Sequence, residues 1–342
     1  MSNAPNSSRD VSFDAATLQE ASIQAVWGQW TCLGAHALGP SSEPQRSIID
    51  PEALLLFTLY LEPHERRLRD FAYWWAQVGA HLLSVQRTKT LLRRFPSVTE
   101  TQLSDFATWA VAAGDKRWKR YVGSNEESSD TEPSPPHGRE ESLLGPSPRP
   151  GKGSDRPRLN PLPALVLRLR AGFGISAKAD VLAYLLGAEE RPARTQAIAD
   201  ATHYSRATVA NALKDLCDAG FIQKTTDAVA QYVAVLDQWA PILNGPQPIP
   251  DMPSAADGPP VWRYWAGLFA FLADADRWMR DTAAASDYVR SSKARDVFER
   301  HRAALEANQI RVPRPETYRG PDYLVGFADT LRRVVQWLSE HL

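Results

Sequence analysis

Residues 195–222 read TQAIADATHYSRATVANALKDLCDAGFI, and the rest of the chain is parsed outward from them. Thr195 is expected to cap a short helix over 196–202, with Ala197, Ile198 and Ala201 at packing positions. His203-Tyr204 then makes a turn, and Ser205 stands where a helix cap belongs. The helix it starts, 206–219, carries Val209, Leu213, Leu216 and Cys217 on one apolar face. Gly220 stops it, because glycine takes the left-handed conformation without a steric penalty. Arg206, Ala207, Thr208, Ala210, Asn211 and Lys214 lie off the apolar stripe and are expected to face outward.

Upstream, Ser176 can cap a helix over 177–186, whose Val181, Leu182, Leu185 and Leu186 share a side, with Gly187 ending it. Residues 191–194 connect it to the next helix. Downstream, 221–225 has strand propensity, Thr226-Asp227-Ala228 can turn, and 229–236 returns with Tyr232, Val233 and Val235. Three helices with a tight turn before the third, followed by a two-stranded ribbon, is the order of a winged helix-turn-helix. The expected fold class is therefore mainly α, a winged helix-turn-helix with a small β-ribbon between two all-helical parts.

This arrangement suits double-stranded DNA. The amino end of a capped helix favours phosphate, and the first turns of helix 206–219 project from that end. Arg206 can bond guanine, Asn211 can bond adenine, and Thr208 can meet a thymine methyl in the major groove. Lys214 extends the same face. Thr195 or Gln196, at the start of the second helix, is placed for a backbone phosphate, as Ser205 is at the third. In the ribbon Lys224 is the one cation, with Thr225, Thr226 and Gln231 as polar neighbours. The run from Thr195 to Ile222 resembles bacterial winged helix-turn-helix regulators of the MarR-like type. The shared features are an Ile-Ala pair in the second helix, a Ser cap, Thr-Val in the third helix, and Leu-x-x-Leu-x-x-x-Gly-Phe-Ile leading into the wing. The resemblance covers residues 175–236 and implies a DNA-binding transcriptional regulator; residues 1–10 are polar and show no signal pattern, so a cytoplasmic protein is expected.

Charge sets a condition on that expectation. The whole chain has a formal net charge of -1, so no global field draws it to nucleic acid. Residues 156–240 hold ten Lys/Arg against eight Asp/Glu. Phosphate contacts dominate DNA affinity, so a homodimer spanning two half-sites, or added cations, would be needed. Arg168 and Arg170, just before the first helix, are candidates for the latter. So is the helix over 85–95, with Arg87, Lys89, Arg93 and Arg94, although its cations read first as a solvated face of an all-α bundle.

Composition shifts divide the chain into an expected disordered N-terminus (1–13), a helical N-terminal domain (14–122), a disordered linker (123–160), the winged helix-turn-helix domain (161–243), a Pro-rich linker (244–260) and a helical C-terminal domain (261–342). In the first helical part, Asp50-Pro51-Glu52 reads as a cap, a proline at the first helical position and an acidic first turn. Helices are expected after it, at 68–83, 85–95 and 100–113, with Trp74 and Trp75 at core or interface positions. In the last part the apolar stripes at 262–279, 288–307 and 323–338 serve either a monomer core or a dimer seam.

No phosphate-binding loop, dinucleotide fingerprint, nucleophile elbow or paired metal-ligand motif is present, so no enzyme activity, cofactor or metal is expected. Two cysteines, Cys32 and Cys217, exclude a disulfide framework and read as small buried residues. Asp296 and Glu299, interleaved with Lys293, Arg295 and Arg300, read as an ion-paired solvated face. The apolar stretches fall short of the ~20 residues a spanning helix needs, so no membrane is expected. A second functional reading stays open. As a whole, the chain resembles the regulator or antitoxin companions of bacterial nucleotidyltransferase toxins, implying an interaction protein whose winged helix docks a protein partner or represses its own promoter.

Overall fold

The Asp50-Pro51-Glu52 signal starts a helix as its chemistry dictates. In the computed structural model Asp50 accepts from the Ala53 N–H at 3.1 Å, and α2 (Pro51–Leu61) follows. The structure describes residues 13–35, 46–122, 153–225, 229–243, 258–312 and 314–341. The segment 1–12, the turn expected at 226–228 and most of both expected linkers lie outside these residues.

Every residue of α2 is buried, and a helix that is apolar all round must be covered on all sides. α1 (Ala15–Cys32), α3 (Arg67–Val78), α4 (Val85–Leu92) and α5 (Val98–Ala112) supply part of that cover. The rest comes from the far end of the chain. α11 (Trp265–Asp281) packs directly on α2, with Phe57 and Phe269 stacked at 4.6 Å and the Tyr60 hydroxyl donating to the Ala273 carbonyl at 3.1 Å. α12 (Asp287–Ala307) and α13 (Tyr323–Glu340) complete this body, and α13 returns onto α1. Gly267 lets α11 and α12 approach closely, since a Cβ there would lie 2.3 Å from the Ala304 Cβ.

The two helical parts expected as separate domains therefore share one core. Two strongly apolar helices far apart in sequence cover each other better than either could be covered alone. Trp74 and Trp75 lie in this core. Cys32 and Cys217, expected buried, are half-buried. Residues 153–160, expected in the disordered linker, are instead ordered against the body. Ser154 N bonds Gly34 O at 3.0 Å, Arg158 N bonds Leu33 O at 2.9 Å, and the Trp74 indole donates to Ser154 O at 2.9 Å.

A second, smaller core gathers α6 (Leu165–Phe173), α7 (Ala177–Gly187), α8 (Thr195–Thr202), α9 (Arg206–Asp218) and α10 (Leu236–Leu243). Between α9 and α10, β2 (Gln223–Lys224) pairs antiparallel with β3 (Tyr232–Val233), and Tyr232 also bridges Ala193. The strands are shorter than the sequence suggests, because the chain turns into α10 at Leu236. The body and this module are joined by β1 (Ser47–Ile48) and β4 (Val261–Trp262), a parallel pair packed against the end of α7. Gly187 is the last residue of α7, where the sequence places the helix end, but it does not take a left-handed φ. A Cβ there would sit 2.6 Å from Ile48 Cδ1 and 2.7 Å from Trp262 N, so close approach explains the glycine. The described residues are thus mainly helical, with minor β-structure.

Candidate nucleic-acid interface

α8 ends at His203, whose φ of +60° is left-handed, and the chain turns through Tyr204 to Ser205. Ser205 caps α9: its Oγ accepts from Thr208 N at 3.1 Å and lies 2.8 Å from the Thr208 hydroxyl. Val209, Ala212, Leu213 and Leu216 are buried, and α9 lies against α7 and α8. Arg206, Ala207, Thr208, Ala210, Asn211 and Lys214 are all exposed. Ala207, Asn211 and Lys214, spaced four and three apart, form one outward line along α9. The carboxyl half of the outer face is acidic, with Asp215 paired to Lys178 at 2.7 Å and Asp218 exposed.

The remaining sequence candidates are placed differently. Arg194, not Thr195, occupies the cap position of α8; Thr195 is its half-buried first residue. Gln196 is exposed, with its amide donating to Asp200 at 2.8 Å. Lys224 is exposed on β2, near enough to Cys217 in the last turn of α9 for its charge to act on that thiol. The structure thus brings Ser205, Arg206, Thr208, Asn211 and Lys214 together on one surface. It sets Lys224 toward the other end of α9.

Two expected phosphate ligands are excluded. Arg170 is fully buried, bonding both Asp180 oxygens at 2.8 Å, Glu52 Oε2 at 3.0 Å and the Leu82 carbonyl at 3.0 Å. Arg168 donates to the carbonyls of Leu159 (2.7 Å), Pro161 (3.2 Å), Asn160 and Ile242. Arg168 ties carbonyls of its own part of the chain together, whereas Arg170 joins the small module to the helical body through Glu52 and Leu82. Arg87 likewise departs from the solvated-face expectation. It is buried, pairs with Asp50 at 2.6 Å and Glu52 at 2.5 Å, and donates through Nε to Thr202 O at 2.9 Å.

Asp50, Glu52, Arg87, Arg170 and Asp180 therefore form one buried ionic cluster between the helical body and the α8–α9 turn. Ser84 N donates to Glu52 at 2.7 Å and the Tyr204 hydroxyl to Asp180 at 2.9 Å, so further lone pairs are satisfied. Burial works to raise the Asp50 carboxyl, but the Arg87 guanidinium overcomes it and holds it below its ordinary value. The same surroundings push the His203 imidazole down to about 3: burial acts first, then the charges of Arg87 and Arg94. Sequence reading missed the cluster. One signal was present, since an acid at the second position of an all-apolar helix has no solvent face to occupy.

Asp296 and Glu299 on α12 are exposed, as a solvated face requires. Among the described residues, no group of three or more His, Cys, Asp or Glu side chains is arranged to hold a metal ion, and no helix is long and apolar enough to cross a membrane. No protein-family model, curated protein or solved structure matches this chain.

Proposed function

We propose that residues 161–243 form a winged helix-turn-helix and that the chain is a DNA-binding transcriptional regulator, with α9 reading the major groove. The observation that carries this reading is α9 itself. A serine-capped helix presents Arg206, Thr208, Asn211 and Lys214 on an uncovered face, without an acid until Asp215. The order of α7, α8 and α9, and the ribbon of β2 and β3 with its third bridge at Ala193, support the winged assignment. The burial of Arg170 and the engagement of half-buried Arg168 with backbone carbonyls leave few cations in the module. Binding as a homodimer would offset this, because the second half-site is met at raised effective concentration. Such a regulator works in the cytoplasm.

The test is selection of bound duplex fragments by the full-length protein, followed by salt titration. Arg206→Ala with Asn211→Ala should lower discrimination between selected and unrelated fragments by about 10–100-fold, as expected when bidentate base contacts are lost. Full discrimination by that double variant would refute the reading.

One observation favours a second reading, an antitoxin-like or defence-system protein that docks a protein partner. Phe173 and Phe221 are 40% and 37% exposed, Phe221 packing edge-on with Trp239 at 5.6 Å and Phe173 tilted against it at 6.3 Å. Exposed aromatic groups of this kind are enriched at protein interfaces. Co-purification of a partner that is lost on Phe173→Ser with Phe221→Ser, together with a salt slope near zero on DNA, would favour it.

A further inference from the structure

Resting on the DNA-binding reading above, we propose that α4 is a second DNA-contacting element, with Lys89, Arg93 and Arg94 gripping the phosphate backbone beside the turn that launches α9.

Three observations converge. First, α4 is fixed to the turn. Arg87, one turn into α4, donates to the carbonyl of Thr202, the last residue of α8, at 2.9 Å, while Asp50 and Glu52 hold its other nitrogens. These are charge-assisted, buried bonds, so α4 and the turn move as one piece. Second, α4 ends at Leu92, and Arg93 and Arg94 stand in the turn that closes it. The Arg94 charge reaches Asp200 on α8 and His203 in the turn before α9.

Third, the exposed charge of this segment is of one sign. Residues 85–95 contain four cations and no acid. Arg87 is neutralised in the interior, whereas Lys89, Arg93 and Arg94 are exposed and ion-paired with no described residue. They run from α4 into the turn that closes it, an exposed stretch without an acid. An extended polyanion fits such an array better than a small phosphate ion. The polyanion that also meets α9 is duplex DNA, and phosphate contacts from a flanking element would supply what the buried Arg170 and the carbonyl-bound Arg168 do not.

Salt titration of the full-length protein on fragments it selects tests this. The variants are Lys89→Gln/Arg93→Gln/Arg94→Gln and, in parallel, Arg206→Ala/Asn211→Ala. Each phosphate contact contributes about 0.9 to the slope of log affinity against log salt. The α4 variant should therefore lose about two to three units of slope and at least tenfold in affinity. The loss should be equal on selected and unrelated fragments, so that discrimination is kept. All three side chains are exposed, so its melting temperature should match the parent's. Should the parent bind with discrimination that depends on Arg206 and Asn211 while the α4 variant keeps its slope and its affinity within twofold, α4 is not a DNA element, and the reading of α9 stands. Discrimination lost by the α4 variant also overturns the assignment to phosphate. A parent slope near zero sinks both.

Discussion

His203 closes α8 in the left-handed region within reach of the charges of two arginines, and this has a consequence for stability. Its folded imidazole is pushed down to about 3 by burial and by the charges of Arg87 and Arg94, against the opposing charge of Asp50. In the unfolded chain the same ring takes its proton near pH ~6.5. Between those values the unfolded chain binds a proton that the folded chain refuses, so stability falls as pH drops through that window. The slope from one proton is at most about 1.4 kcal/mol per pH unit. His203→Asn keeps a side chain that tolerates left-handed backbone and removes the titration. Urea midpoints between pH 6.5 and 4 should accordingly flatten in this variant; His341, which is also pushed down, titrates in both proteins and leaves a common residual. An unchanged slope would show that His203 is not the group responsible. The backbone role of this residue could be read in sequence, since it stands between two capping signals. Its charge environment could not, because Arg87 and Arg94 come from more than a hundred residues upstream.

At the scale of single elements, local chemistry was legible and lengths were less so. The Ser205 cap, the Gly220 stop (φ +73°) and the Asp50 cap stand where side-chain hydrogen bonding and glycine's freedom require them. The strands of the ribbon are short and Leu236 opens a helix, because sheet length depends on partners outside the strand, here a single bridge from Ala193. Gly187 ends α7 as read, but the reason for a glycine there, crowding by Ile48 and Trp262, comes from distant parts of the chain. The cap of α9 separates its structural role from its proposed contact with phosphate. Ser205→Ala should lower stability by about 1 kcal/mol through the orphaned Thr208 N–H. Ser205→Asp should keep the cap and hence the denaturation midpoint, while setting a negative charge against phosphate, so affinity for selected DNA should fall sharply. Unaltered DNA affinity in Ser205→Asp would place the amino end of α9 away from the duplex.

Over the whole molecule, the largest gap between sequence and structure is the joining of parts. Glu52 and Arg170 lie 118 positions apart and Tyr60 and Asp276 216 apart, yet each pair is in hydrogen-bond contact in the interior. No local pattern encodes such meetings. What the sequence did carry was their necessity, in the form of two helices too apolar to stand alone and an arginine set among Leu165, Val166, Leu167 and Leu169. The body and the module share the buried cluster, and a charge left there without its partner is strongly unfavourable. Neither part is then expected to unfold first. Heating should give one calorimetric transition whose calorimetric and van't Hoff enthalpies agree. Arg170→Met leaves Glu52 and Asp180 facing each other without their shared cation. This should remove about 3–5 kcal/mol and lower the midpoint by roughly 4–7 °C for a single transition of a chain this long. Arg170→Met with Glu52→Leu and Asp180→Leu should recover much of that loss, because burying matched apolar groups avoids the desolvation of charge. Two separate transitions in the parent, or an Arg170→Met midpoint within a degree of it, would show that the cluster does not couple the module to the body.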